Sequence, residues 1–366
     1  MRTTGITLTA SPAMQIALAD HPALAGPGPV RHGLSAIAVT FDPAPEAGHL
    51  ALTLVEGRPA DVIDLALALP VGPELAWTGP AGDHPPLHPG VDLAQGLSQL
   101  LWQAVDRVRA LAQPVIADGN ADAVHDLRVA LRRLRTGLGL LPKAWADDDL
   151  AVLRAELKAV SVTLGALRDC DVTIARVADA PAALRAHLAG RRAALLAAVR
   201  PLLAGTSFQR LLLSLARWIE TRAPSAPAPL VTMAAKRLDR WWRQIRHAAR
   251  HIDRLPPEDL HALRKRAKTL RYATEALGDA FAHHAKARAR FAKGLARVQD
   301  HLGAVHDIDT PPPEPGTDGD AIAAAGMAAL LHEALMPGPG HRAHHVRAAR
   351  KAIRRLKQDP RWWRDG

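Results

Sequence analysis

This chain of 366 residues has one cysteine, Cys170, so no intrachain disulfide can form, which is compatible with a reducing cytosol. Aromatic residues make up only 4%, and the basic region offers no ring platform on which bases would stack. No apolar run approaches the ~20 residues of a membrane-spanning helix. The N-terminus lacks the charged start, apolar stretch and cleavage site of a signal peptide. There is no Walker-type glycine loop, no zinc-finger spacing and no recognition-helix motif. No acidic cluster is placed to hold metal for phosphoryl transfer. The histidines at 283–284 and at 341, 344 and 345 have no cysteine or carboxylate arranged beside them. These absences lead to the expectation of a cytoplasmic, non-enzymatic protein with no membrane span, no metal and no cofactor.

Acidic residues are scarce where basic ones abound. The net charge is +11, yet residues 1–90 hold only Arg2, Arg31 and Arg58 against eight acids. That stretch carries −5, which leaves +16 for the remainder. Such a field attracts nucleic acid, anionic membrane or another polyanion. With 48% hydrophobic residues, dominated by Ala and Leu, the chain has enough apolar material for a sizeable helical core.

The basic residues form a pattern that occurs twice, 136 residues apart. His125, Arg128, Arg132 and Arg135 stand at relative positions 0, 3, 7 and 10, and His261, Arg264, Lys268 and Arg271 repeat that spacing. At about 100° per helical residue, each set falls within an arc of roughly 80°. Arg133 adds a further cation to the first comb. Leu127, Leu131, Leu134 and Leu138 fill the neighbouring arc of the first, and Leu260, Leu263, Ala267 and Leu270 that of the second. Each helix therefore buries one face and presents a positive stripe on another. Like charges at i, i+3 and i+4 repel by a few tenths of a kcal/mol per pair, and no acid is interleaved on the charged face of either comb to relieve them. A stripe of this kind built twice is hard to explain as solubility alone.

Residues 1–78 read differently, with short strand-like segments at 35–41 and 49–55 and one short helix at 61–69. The breaker-rich stretch 79–90 reads as a linker. From residue 91 the pattern is helical, with helices expected at 92–113, 119–140, 147–166, 182–203, 207–222, 229–252, 257–278, 284–303, 320–335 and 341–357. Asp122 and Glu258 fall in the first turns of the two comb helices, where a carboxylate suits the helix dipole. A second element also repeats. Leu164-Gly165 with Asp169 and Asp171 matches Leu302-Gly303 with Asp307 and Asp309, at an offset of 138. Two motifs at nearly one offset indicate an internal duplication. The glycines read as helix ends, and the aspartates as caps of the next helix or partners of an arginine.

The combs, the repeated Leu-Gly-x-x-x-Asp-x-Asp element and the closing Asp359-Pro-Arg-Trp-Trp-Arg364 together resemble the CHAD family over roughly residues 92–366. The resemblance implies an all-α fold of two pseudo-symmetric four-helix bundles, with halves near 91–225 and 226–366. It also implies a basic cleft or pore between them that binds inorganic polyphosphate, and association with polyphosphate-metabolising proteins or granules. Carried onto this sequence, it implies a site of His125, Arg128, Arg132, Arg133, Arg135, Lys158 and Arg168 in the first half. The second half supplies His261, Arg264, Lys268, Arg271, Lys293 and Arg297. His306 stands where the first half has Arg168, and Thr269 where it has Arg133, so the first comb is expected to hold phosphate more tightly. Residues 52–61 are similar to the late part of a CYTH domain. The early Glu-x-Glu-x-Lys strand of that family is missing and basic residues are few, so residues 1–90 read as a reduced, non-catalytic relative or an unrelated small α/β piece.

Polyphosphate binding is the leading reading, because guanidinium forks match phosphate oxygens and a ten-residue comb tracks ~15 Å of chain. Nucleic-acid binding is the alternative, since charge alone does not separate two polyanions. A (tri)polyphosphate hydrolase is the third. His125 and His261 either contact phosphate as cations or serve as neutral donors inside the helices.

Overall fold

The apolar periodicity folds as the sequence leads one to expect. The computed structural model describes residues 5–10, 30–32, 35–42, 48–56, 58–69, 76–77, 86–221, 228–309, 340–359 and 361–364. The helix expected at 320–335 and the linker residues 79–85 lie outside this set. The chain forms two compact units, one of residues 1–85, 98–168 and 194–225, the other of 86–97, 169–193 and 226–366.

The N-terminal residues form an antiparallel sheet of five strands: β1 (Gly5–Ala10), β2 (Val30–His32), β3 (Ser35–Asp42), β4 (Gly48–Glu56) and β5 (Ala76–Trp77). Their order is β2-β3-β4-β1-β5. The two expected strands are β3 and β4, paired with Val39 opposite Leu52. β1, β2 and β5 were not foreseen. Leu8, Ile37, Leu50 and Leu52 are buried. Helix α1 (Pro59–Ala68) buries Val62, Ile63, Leu65 and Ala66. In the same unit α1 is tied to a later helix, α6 (Thr206–Thr221), by an ion pair between Asp64 and Arg217.

The remainder is helical: α2 (Leu93–Ala117), α3 (Ala121–Leu140), α4 (Asp148–Arg176), α5 (Ala182–Ala204), α6, α7 (Leu230–Ala248), α8 (Pro257–Ala276), α9 (Ala285–Asp309) and α10 (His341–Leu356). Pro114 lies inside α2, which continues one turn past it. Gly119 then adopts φ +63°, a left-handed turn open to glycine at no steric cost, and Asn120 caps α3 by accepting from the Ala123 amide at 2.8 Å. The combs occupy α3 and α8, with Asp122 and Glu258 in the first turns.

Two local expectations are corrected. Gly165 and Gly303 do not end helices; α4 and α9 run through them to Arg176 and Asp309. A mid-helix glycine costs only about 1 kcal/mol relative to alanine, and burial of Leu164, Leu167, Leu302 and Val305 along the same helices outweighs that. It follows that Asp169 and Asp171, inside α4, do not cap a following helix. The other reading of the aspartates, pairing with arginine, is what the structure contains. Asp171 accepts from Arg192 Nε at 2.6 Å, and Asp309 accepts from Arg342 Nε and Nη2 at 2.6 and 2.9 Å.

Leu260, Leu263, Ala267 and Leu270 lie wholly buried under the second comb, as Leu127, Leu131, Leu134 and Leu138 do under the first. Leu263→Ala is expected to lower unfolding free energy by about 2–5 kcal/mol, whereas Arg266→Ala on the exposed face stays within about 0.5 kcal/mol. Denaturant melts of the two variants measure the contrast.

Candidate anion-binding site

In both copies the comb helix runs antiparallel to the helix that bears the Leu-Gly element, and the two repeated motifs meet. Arg128 Nη1 donates to the Gly165 carbonyl at 3.0 Å. A Cβ on Gly165 would lie 3.5 Å from that guanidinium, and one on Gly303 would lie 3.7 Å from Arg264 Nε. The first comb arginine of each copy therefore lies over the glycine of its partner helix. Gln299 fixes the α8–α9 register further by donating to the Ala267 carbonyl at 3.1 Å.

At the start of the stripes the copies diverge. In the first, Arg168 Nη1 donates to the Ala121 carbonyl at 3.3 Å, which sets a permanent cation beside the beginning of α3. In the second, His306 packs against His261, with ring centroids 4.2 Å apart and planes tilted by 39°. His125 is exposed while His261 is half-buried. The Nδ1 of His261 is buried without a hydrogen-bond partner among the described residues, so this atom does not act as a neutral donor inside the helices.

Electrostatics follow from this packing. Burial first, then His306, Lys265, Arg264 and Lys268, hold the His261 pKa down to about 4. Burial and then Arg264 push His306 down as well, while Asp307 opposes them. Partial desolvation, then the Arg132 charge, lowers Arg135. Arg271 is partly compensated by Glu275, whose Oε1 lies 3.4 Å from its Nε.

The other expected residues are more loosely placed. Arg132 is half-buried on the stripe and Arg133 and Arg135 are exposed. Lys268 lies half-buried between Arg264 and Arg271 on the second stripe. Lys158, two turns before Gly165 on α4, and Lys293 and Arg297 on α9 are exposed. No contact joins these three to a comb among the described residues. Sequence reasoning missed Arg192 and Arg342, the partners of Asp171 and Asp309, because each lies on a different helix from its aspartate. It also passed over α10, which has six Lys/Arg and no acid between His341 and Leu356, a signal plain in composition.

His301 Nδ1 and His345 Nδ1 stand 3.3 Å apart, while the side chain of His283 lies outside the described residues. Among the described residues no three His, Cys, Asp or Glu side chains are grouped to hold a metal ion, and no helix is long and apolar enough to cross a membrane.

Two helices that carry basic stripes over buried apolar floors, each packed against a helix with the repeated Leu-Gly element, define an all-helical class of fold. The family model of the CHAD domain matches residues 99–311, and the chain belongs to the CHAD family. The crystal structure of the CHAD domain from the plant Ricinus communis aligns over 75% of this chain and 96% of its own, with a TM-score of 0.57 and 21% identity, a likeness of fold. The uncharacterized proteins MT2285 and Rv2226 of Mycobacterium tuberculosis are each 30% identical over 232 residues, 54% of this chain. The match spans 41% of the length of those relatives.

A histidine whose pKa falls on folding opposes folding once the unfolded form takes up a proton. His261 therefore contributes no penalty above its unfolded value of 6.5 and a growing one as pH falls from there toward about 4. NMR titration should find His261 neutral at pH 5.5, and His306→Ala should move its midpoint upward by removing one opposing charge. A His261 midpoint near 6.5 in the unaltered protein would contradict the packing described.

Proposed function

We propose that this chain binds inorganic polyphosphate along its two comb helices and performs no reaction on it. The CHAD family is associated with polyphosphate binding in general. The observation that carries the reading for this chain is the recurrence of one stripe, with one spacing, over one buried apolar floor. An arginine fork forms paired hydrogen bonds to phosphate oxygens, and Lys268 adds a point charge. The stripe rises ~15 Å, the scale of a polymer segment and larger than a single phosphate. Arg128 and Arg264, seated on glycine, are held in place before a ligand arrives, which limits the ordering cost of binding.

Burial of Trp242, Trp362 and Trp363, each at most 2% exposed, removes these three rings as platforms for a base, while their neighbour Trp241 is half-buried. Association with polyphosphate granules belongs to the same proposal, as the cellular consequence of holding the polymer.

The central test compares the unaltered protein with Arg132→Ala combined with Lys268→Ala. Polyphosphate affinity at physiological salt should fall at least tenfold and its salt dependence should become shallower, with Arg132→Ala alone costing more than Lys268→Ala. Unchanged affinity, or a clear preference for single-stranded DNA in direct competition, would overturn the reading. Release of phosphate from tripolyphosphate with Mg²⁺ or Mn²⁺ would overturn its non-enzymatic part.

Protonation should be linked to binding. A polyanion beside His261 favours the imidazolium form and raises its pKa, so protons are taken up on binding. Affinity at fixed salt should therefore rise as pH falls from 8 to 5.5, with most of the rise below 6.5. A flat profile would remove the histidines from the contact.

A further inference from the structure

A second concentration of positive charge lies within the residue 226–366 part of the chain, on elements other than the comb helices. Arg350, Arg354 and Lys357 recur at i, i+4 and i+7 along the end of α10, within one helical arc. Arg246 and Arg250 stand one turn apart where α7 passes into the 3-10 turn Ala249–Arg254. An ion pair between Arg350 and Asp253 ties the end of α10 to that turn. Among the described residues Asp253 is the one carboxylate paired with these five cations. Arg246 Nε is buried with no hydrogen-bond partner among the described residues. The Lys357 pKa is lowered by burial and then by Arg246, Arg250, Arg354 and Arg350, so the charges of both elements act on one ammonium group.

The ordinary explanation is that cations in last turns complement helix dipoles, and Arg246 and Arg354 do occupy last turns. The magnitudes do not balance. Two helix C-termini supply about half a negative charge each, and with Asp253 they offset about two of the five positive charges, leaving about +3. A merely solvated face would carry acids at i±4 to relieve that repulsion, and α10 has none.

We propose that Arg246, Arg250, Arg354 and Lys357, with Arg350 anchored by Asp253, form a second phosphate site that takes an oligophosphate of about three charges. The site is built from residues other than those of the combs, and the proposal does not rest on the comb reading. Its ligand is either a free short oligophosphate or a segment of a longer polyphosphate.

Calorimetric titration with tripolyphosphate at 0.15 M salt tests the assignment. Arg246→Ala combined with Lys357→Ala should weaken tripolyphosphate binding at least tenfold, and Arg266→Ala, an exposed cation that belongs to neither proposed site, should leave it within twofold. Arg354→Ala, on the surface, should weaken it several-fold with an unchanged melting temperature, which separates lost contact from lost fold. Titration with long-chain polyphosphate distinguishes the two sources: a polymer that engages the site loses affinity in the Arg354→Ala protein, and a free short ligand alone leaves the polymer titration unchanged. Tripolyphosphate affinity equal to the unaltered protein in both site variants overturns the proposal. So does displacement of tripolyphosphate by an oligonucleotide at equal phosphate concentration. Should the comb variant bind long polyphosphate normally while the Arg246/Lys357 variant loses tripolyphosphate, the comb reading fails and this site stands.

Discussion

The basic chemistry of this molecule rests on an apolar seam between antiparallel helices. In the first copy α3 lays Leu127, Leu131, Leu134 and Leu138 into that seam, all nearly or wholly buried. Burial of four such side chains contributes roughly 6–12 kcal/mol before entropy is counted. Repulsion along the stripe costs a few tenths of a kcal/mol per adjacent pair. The seam therefore dominates, and the cations keep the positions the helix dictates. Glycine in the partner helix completes the arrangement, since Gly165 lets the Arg128 guanidinium reach a backbone carbonyl at 3.0 Å.

Rigid placement matters for the proposed function because phosphate contacts are individually weak in water. A surface ion pair contributes about 0–1 kcal/mol, partly because two long side chains must be ordered to make it. A stripe set on one helix and half-sunk between neighbours has already lost much of that freedom. His261, Arg264, Lys268 and Arg271 are all half-buried. Several modest contacts made at once along a polymer then sum with little further ordering, whereas a lone phosphate would engage one or two of them.

Much of this was legible in the sequence. Leucine periodicity marks α3 and α8, and the 0, 3, 7, 10 spacing marks the stripes. The two repeat offsets, 136 and 138, matched because Arg128 meets Gly165 as Arg264 meets Gly303. What escaped was whatever tertiary packing decides. Local propensity marks Gly165, Gly303 and Pro114 as breakers, and long helices pass through all three because flanking leucines and valines are buried on them. The strands β2 and β5, of three and two residues, are too short to show alternation and exist by pairing with β3 and β1. Arg192 and Arg342 lie on separate helices from the aspartates they bind, so spacing does not reveal them.

The divergence between the copies has a physical consequence that the shared stripe does not. Arg168 brings a guanidinium to the start of the first stripe, where its Nη1 donates to the Ala121 carbonyl. In the second copy two imidazoles stand 4.2 Å apart; Arg264 and Lys268 oppose protonation of both rings, and Lys265 that of His261. Without an anion those rings are neutral, and the second stripe begins at Arg264. A polyanion along α8 reverses the sign of the local field and makes the imidazolium favourable where it was costly. Proton uptake and anion binding are then reciprocal, because whatever raises the affinity of one raises that of the other by the same factor. On the proposed function, the same charges that repel one another along the empty stripe would stabilise the occupied one, since a ligand bound only by the folded chain at free concentration L adds RT ln(1 + L/Kd) to its stability.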